Sequence, residues 1–343
     1  MNNKKIYPFT AIVGQEKMKL ALILNVINPS LGGVLIRGEK GTAKSTAVRA
    51  LADLLPERDQ IEGCKFSCDP VNLDQACQNC REKIKNHDNT IVKAKMKVID
   101  LPVSATEDRV VGTLDIEHAI KHGEKRFEPG ILAQANRNIL YVDEVNLLDD
   151  HVVDILLDSA AMGVNTIERE GISYTHPAKF TLVGTMNPEE GDLRPQLLDR
   201  FGLVVDVVGE GEISQRVDVI KRRLDFEENN EAFHELYKVK QNELAEQIQN
   251  ATVFLPNVRF DDQLLETIAR ISMALGVDGH RADIVMMKTA MTIAAYHGNE
   301  SVTSQDIKEA AIFVLPHRMR KRPFDDSQFN TDSIEEIVDG LIN

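Results

Sequence analysis

The stretch GEKGTAKS, Gly38–Ser45, sets small residues beside a lysine and a hydroxyl, the composition that holds phosphate. It differs from the pattern G-x-x-x-x-G-K-[ST] only at Ala43, which stands where the last glycine would be. The apolar run GVLIR precedes it and a helical pattern over Thr46–Leu55 follows, which is the strand–loop–helix context such a loop needs. Backbone N–H groups from Gly38, Glu39, Lys40, Gly41, Thr42 and Ala43 through Lys44, Ser45 and Thr46 would then wrap a β-phosphate at a helix N-terminus. Lys44 would neutralise the β/γ oxygens, and the Ser45 hydroxyl would coordinate Mg²⁺. Ala43 is compatible with that loop if its φ is negative, since the ligands there are backbone groups.

Two further stretches add the groups that hydrolysis requires. In ILYVDEVNLL an apolar strand delivers Asp143 and Glu144 at its carboxyl end, Asp143 to hold the metal through its water shell and Glu144 to orient or deprotonate a water. In TLVGTMNPEEGDLRPQLLDRFG a strand ends at Asn187, where a polar side chain can meet a γ-phosphate and the attacking water. Asp199 and Arg200 close a short helix, with Arg194 one and a half turns earlier. Either arginine is an arginine-finger candidate for a neighbouring subunit's nucleotide, and an ordinary surface ion pair accounts for either equally well. In GVDGHRADI, Arg281 near a helix start is placed to reach the nucleotide from a second, helical unit, and His280 reads as structural.

Cys64, Cys68, Cys77 and Cys80 are all the cysteines of the chain and form C-x3-C-x8-C-x2-C. Four thiolates from one loop suit a structural Zn²⁺, the C-x2-C half better than the C-x3-C half. Reduced, unligated thiols fit the spacing equally, and a redox switch or an iron–sulfur cluster is a further reading.

These groups must be carried by a scaffold, and the scaffold is visible as short apolar runs at Gly33–Arg37, Lys97–Leu101, Ile139–Asp143, Phe180–Thr185 and Leu203–Val208. Aliphatic strands alternating with helical stretches predict an α/β fold whose parallel sheet is covered by helices on both faces. The pattern changes near Gly209, give or take about ten residues. Glu212–Gln249 is charged and helical, and Leu264, Leu265, Ile268 and Ile271 lie at helix spacing. Thr303 and Asp306 open another helix with a capping-box signature, which Pro316 stops. Hydrophobic residues make up 43% of the chain, enough for a sizeable core, while aromatics are only 5% and Trp is absent. A formal net charge of -14 argues against nucleic acid as a partner. No signal peptide and no membrane span are visible, and a cytoplasmic location is expected.

Taken in order, these motifs resemble those of AAA+ ATPases, and more narrowly those of the ATPase I subunit family of magnesium chelatase, the complex that inserts Mg²⁺ into protoporphyrin IX. The resemblance covers nearly the whole chain. It rests on FTAIVGQEKMKLAL, GEKGTAKST, RFEPGILAQANRNILYVDEVNLLDDHVVDILLDSAAMGVNTIEREGIS, GTMNPEEGDLRPQLLDRFGL and GHRADI. It implies phosphate-loop roles for Gly38, Gly41, Lys44 and Ser45, Walker-B roles for Asp143 and Glu144, sensor-1 for Asn187, the finger for Arg200 and sensor-2 for Arg281, with ATP and Mg²⁺ as cofactors. It also implies an AAA+ domain over 1–208, with the cysteine insert at 56–96 and hairpin inserts near 111–129 and 163–176. A helical linker would follow over 209–255 and a helical lid over 256–343. Its partners would be its own copies in a hexameric ring, a D subunit and a large porphyrin-binding subunit; no porphyrin pocket is legible here, so the chain would be the motor. A MoxR-like chaperone ATPase would share every catalytic residue named, and a helicase-like DNA motor would share the G-x-x-G-T-A-K-S loop, although the charge disfavours it.

Overall fold

The computed structural model describes residues 6–39, 41–86, 90–115, 126–169, 172–209, 211–319 and 337–341. All five apolar runs form strands of one parallel sheet: β1 (Val34–Gly38), β4 (Val98–Leu101), β7 (Ile139–Val142), β10 (Thr181–Met186) and β11 (Leu203–Val207), in the order β11-β1-β10-β7-β4. The runs are continuous because both faces are buried. Val34 and Ile36 enter one core with α1 (Glu16–Ile27) and α2 (Lys44–Leu54), while Leu35 enters the other with α5 (Ile131–Ala135) and α6 (Asp150–Met162).

Three two-stranded pieces decorate the sheet. The cysteine insert contains β2 (Arg58–Ile61), α3 (Gln78–Lys85) and β3 (Ile91–Ala94), with β2 and β3 antiparallel. The hairpin expected near 111–129 follows the short α4 (Glu107–Val111) as β5 (Gly112–Asp115) and β6 (Arg126–Pro129), its tip lying outside the described residues. The one expected near 163–176 is β8 (Val164–Arg169) paired with β9 (Ile172–Pro177).

Beyond β11 the described chain is helical: α8 (Ile213–Glu228), α9 (Asn230–Phe254), α10 (Asp262–Ala274), α11 (Arg281–His297) and α12 (Ser304–Val314). The Thr303–Asp306 capping box forms as expected, with the Thr303 N–H donating to Asp306 Oδ2 at 2.7 Å and the Asp306 N–H to Thr303 Oγ1 at 3.3 Å. Helices α10 to α12 share the α1/α2 core, so apolar burial ties this helical part to the sheet. No described helix is long and apolar enough to cross a membrane.

Candidate nucleotide site

The loop between β1 and α2 is shaped by three small residues. A Cβ on Gly38 would lie 2.0 Å from the Val207 carbonyl oxygen, so only glycine lets β1 pair with β11 here. Gly41, at φ +87°, has nothing within 4 Å of where its Cβ would be. Ala43 corrects the sequence expectation: its φ is +58° and ψ 19°, left-handed and not negative. The chain must reverse into α2 at this residue, and the methyl group tolerates the conformation at a cost of about 1–2 kcal/mol. Ala43 is also the N-cap, and its side chain cannot accept from the Ser45 and Thr46 amides, which suits that end of α2 to an anion. Lys44 curls over the loop, Nζ donating to the Gly38 carbonyl and, at 3.2 Å, to that of Glu39. Thr42 Oγ1 ties the same Glu39 carbonyl at 2.9 Å. Lys40 lies outside the described residues.

Sheet register brings the acidic groups to the same edge. Leu35 and Val142 both pair with Gly184, so Asp143 follows β7 at the level of Thr185, and Asn187 follows β10 at the level of Gly38. Asp143 Oδ1 accepts from Thr185 Oγ1 at 2.5 Å and from the Tyr141 hydroxyl at 3.0 Å. Burial pushes the Tyr141 hydroxyl above its ordinary pKa, which keeps it a donor at neutral pH. Thr185 Oγ1 in turn accepts from the Glu144 N–H at 3.2 Å. Glu144 is left-handed at φ +53°, ψ 54°, an uncommon state for a non-glycine residue and one often stored at functional sites. Asn187 is buried, and its Oδ1 accepts from the Glu189 N–H at 3.3 Å. The donor set fits a Mg²⁺-bound triphosphate: the Lys44 ammonium and the N-terminus of α2 for the oxyanions, the Ser45 hydroxyl and the Asp143 carboxylate for the metal, and the Glu144 carboxylate for a water.

Arg200 and Arg281 are not at this edge. The Arg200 carbonyl oxygen lies 3.6 Å from where a Gly32 Cβ would be, and Leu203 N–H bonds the Gly33 carbonyl, so Arg200 sits before β11 at the amino end of the sheet. Six residues of extended chain separate Gly32 from Gly38, roughly 20 Å. The Arg200 side chain forks between Asp154 and Asp158 (2.5 Å), and Arg194 pairs with Asp150 at 2.6 Å. The three aspartates recur every four residues along α6 and make one acidic stripe. Arg281 meets Asp199 at 3.0 Å, beside Arg200. The helical unit docks on the α1/α2 face and brings Arg281 to the same, amino end of the sheet as Arg200. His280 is at the surface, its side chain 94% exposed and 3.6 Å from Asp283.

The sequence reading missed Arg318. Its side chain is 1% exposed, and all five N–H donors of the guanidinium are used. Nε bonds Asp199 Oδ1 (3.1 Å), NH1 bonds the carbonyls of Gly202 (3.2 Å) and Val314 (2.7 Å), and NH2 those of Asp199 (2.9 Å) and Phe201 (2.6 Å). Burial lowers its pKa to about 10, which leaves it charged at neutral pH. Arg318 thus clamps the Asp199–Gly202 turn that presents Arg200. Its only sequence signal is a basic run after Pro316, and Thr185 has only its polarity within an apolar strand.

Two family models match: residues 115–208 fit "Magnesium chelatase, subunit ChlI" and residues 265–337 fit an AAA lid domain. A magnesium-chelatase subunit ChlI homolog of Methanocaldococcus jannaschii is 60% identical over 97% of this chain and 91% of its own. The magnesium-chelatase subunit ChlI of Mesostigma viride is 51% identical over 99% and 95%. Among solved structures, a complex of subunits BchI and BchD of magnesium chelatase matches with TM-score 0.56 and 44% identity, over 98% of this chain and 99% of that one. An ATPase-like protein from Cytophaga hutchinsonii shares the fold at TM-score 0.64 and 18% identity, over 98% and 92%. A phosphate loop, an acidic strand end and a helical lid in this order, with relatives matched end to end, leave one conclusion: the chain belongs to the magnesium-chelatase subunit ChlI family of AAA+ ATPases.

Proposed function

We propose that this protein is the ATP-hydrolysing motor of a magnesium chelatase, acting in a cytoplasmic hexameric ring with a D subunit and a large porphyrin-binding subunit that carries out metal insertion. The observation that carries the reading is the division of the site. Lys44, Ser45, Asp143, Glu144 and Asn187 gather at the carboxyl edge of the sheet, while Arg200 and Arg281 stand together at its amino end. A ring in which each protomer lends its arginines to the next unites the two halves.

Bound there, Mg²⁺·ATP supplies the scissile phosphoanhydride and the charge that the metal partly neutralises. Lys44 and the start of α2 hold the phosphate oxygens, with Ser45 and Asp143 on the metal side. Thr185 and Tyr141 fix the Asp143 carboxylate by donating to it, and the left-handed turn at Glu144 directs its side chain for taking a proton from water. Asn187 orients that water against the γ-phosphate. Arg200 of the adjoining protomer stabilises the charge of the transition state, a role worth about 10³–10⁵ in rate. The MoxR-like alternative is not favoured, because relatives 60% and 51% identical over 97% and 99% of this chain carry magnesium-chelatase subunit names.

Reconstitution with the D and porphyrin-binding subunits tests the reading. Glu144→Gln is expected to keep nucleotide affinity while turnover falls about 10²- to 10⁴-fold. Lys44→Ala is expected to lose most nucleotide binding and with it metal insertion. If Lys44→Ala supports insertion as well as the wild type, the proposal fails.

A further inference from the structure

The cysteine insert takes no part in the nucleotide site. It docks on the opposite end of β7, where Asn136 Nδ2 bonds the Phe66 carbonyl at 2.6 Å and Arg137 bonds the carbonyls of Asp59 (2.8 Å) and Ser67 (3.1 Å). Yet it contains the most concentrated ligand set among the described residues. The four Sγ atoms of Cys64, Cys68, Cys77 and Cys80 all lie within 4.8 Å of one another. Cys68, Cys77 and Cys80 are buried, and Cys64 is half-buried.

The arrangement is not that of disulfides. All four are free, and Cys64 and Cys77 Sγ stand 4.0 Å apart, about twice an S–S bond. It is close to that of thiolates around one ion: Zn–S bonds of about 2.3 Å in a tetrahedron place sulfurs about 3.8 Å apart. Two backbone amides already point at sulfur, Phe66 N–H to Cys64 Sγ at 3.3 Å and Cys77 N–H to Cys68 Sγ at 3.2 Å, which favours thiolate over thiol. The extra residue of the C-x3-C half, which weakens the sequence case for zinc, is absorbed in the turn. Gly63 (φ +67°) and Ser67 (φ +47°) are left-handed, and the Ser67 amide closes on the Cys64 carbonyl at 3.4 Å. A serine held in that conformation marks a turn constrained to aim both sulfurs inward. Four neutral thiols are weak hydrogen-bonding partners and would do little to hold the turn there.

The cluster is also where two hairpins rest. Cys68, Cys77 and Cys80 form one apolar cluster with Ile61, Phe66 and Ala133, against which Phe127 of β6 and Tyr174 of β9 pack. Phe127 and Tyr174 stack at 4.3 Å, and Phe66 lies 5.0 Å from the His176 ring. Whatever fixes the four sulfurs therefore fixes the base of β5–β6 and β8–β9.

We propose that Cys64, Cys68, Cys77 and Cys80 bind one Zn²⁺ in a closed, four-thiolate site that seats both hairpins on the sheet. On binding, four Zn–S bonds form and each thiol gives its proton to solvent, with no change of oxidation state. A closed tetrahedral thiolate set matches zinc, and leaves no position open for substrate. The ion would be structural.

Metal analysis of the full-length protein, purified without chelator, should find about one zinc per chain, released when the thiols are titrated with a mercurial in the presence of a metallochromic dye. Cobalt added to metal-stripped protein should give the visible bands of a tetrahedral thiolate complex. A Cys77→Ser/Cys80→Ser variant should lose the metal and be cleaved at least tenfold faster by protease within 112–129 and 164–177, while retaining wild-type nucleotide affinity. Less than about 0.2 zinc per chain with four titratable thiols overturns the proposal, as does iron in zinc's place. A zinc-free wild type whose hairpins resist protease as well as the zinc-loaded protein overturns the seating role even if the variant fails to fold.

Discussion

Replacing Arg318 with methionine keeps most of the side-chain volume and removes a guanidinium whose five N–H groups all have acceptors. Two of those acceptors keep another partner: the Phe201 carbonyl retains His317 Nε2 at 3.1 Å, and the Asp199 carboxylate retains Arg281 at 3.0 Å. The carbonyls of Asp199, Gly202 and Val314 lose the partner given by Arg318, and each orphaned buried acceptor costs about 1–3 kcal/mol. Three such acceptors put the loss at about 3 kcal/mol or more, to which the Asp199 pair adds little because its carboxylate is 41% exposed and keeps Arg281. Urea unfolding followed by circular dichroism measures it directly. The same variant should bind nucleotide normally, because the Lys44 loop is at the other end of the sheet, yet hydrolyse it slowly, because the turn carrying Arg200 is unclamped. Arg318→Lys, with three donors on one nitrogen, should recover only part of the stability. A destabilisation below about 1 kcal/mol with unchanged turnover would refute the clamp.

Thr185→Val, which preserves shape, should leave nucleotide affinity within about twofold and reduce turnover about tenfold, since one lost hydrogen bond of about 1–1.5 kcal/mol frees Asp143 and Glu144 together; equal turnover in a steady-state assay would show that the bridge is dispensable. Burial, Arg318 and Arg37 hold the His317 pKa well below 6.5, so the folded protein refuses a proton that the unfolded chain accepts. Stability from this residue is complete above pH 6.5 and falls below it, by up to about 1.4 kcal/mol per pH unit until the folded value is reached. His317→Gln, which can still donate to Phe201, should flatten the acid limb of a stability–pH curve, and an unchanged slope would contradict the assignment.

The sheet was legible because its strands are buried on both faces and therefore appear as unbroken aliphatic runs, and each run found its strand to within one or two residues. Lys44, Asp143 and Glu144 were legible because strand ends and motif spacing fix them locally. Long-range features were not. The acceptors of Arg318 lie in the 199–202 turn and on α12, and no local pattern links them. Whether Arg281 meets its own protomer's nucleotide or a neighbour's was not legible, because the sequence says which helix bears it but not which face of the sheet that helix packs on. The sign of φ at Ala43 follows from how the loop must turn into α2, a matter of path that residue type alone does not reveal.

The separation between the Lys44 cradle and the Arg200 turn has a counting consequence. If each protomer lends Arg200 to the next, as proposed, a head-to-tail row of n copies would contain n − 1 composite sites, with a bare cradle at one end and an idle arginine at the other, and only closure would create the nth. Dilute protomers should then be nearly inert, with specific activity climbing steeply on concentration. The final subunit to join would switch on two centres at once, so that assembly itself acts as the throttle on ATP consumption.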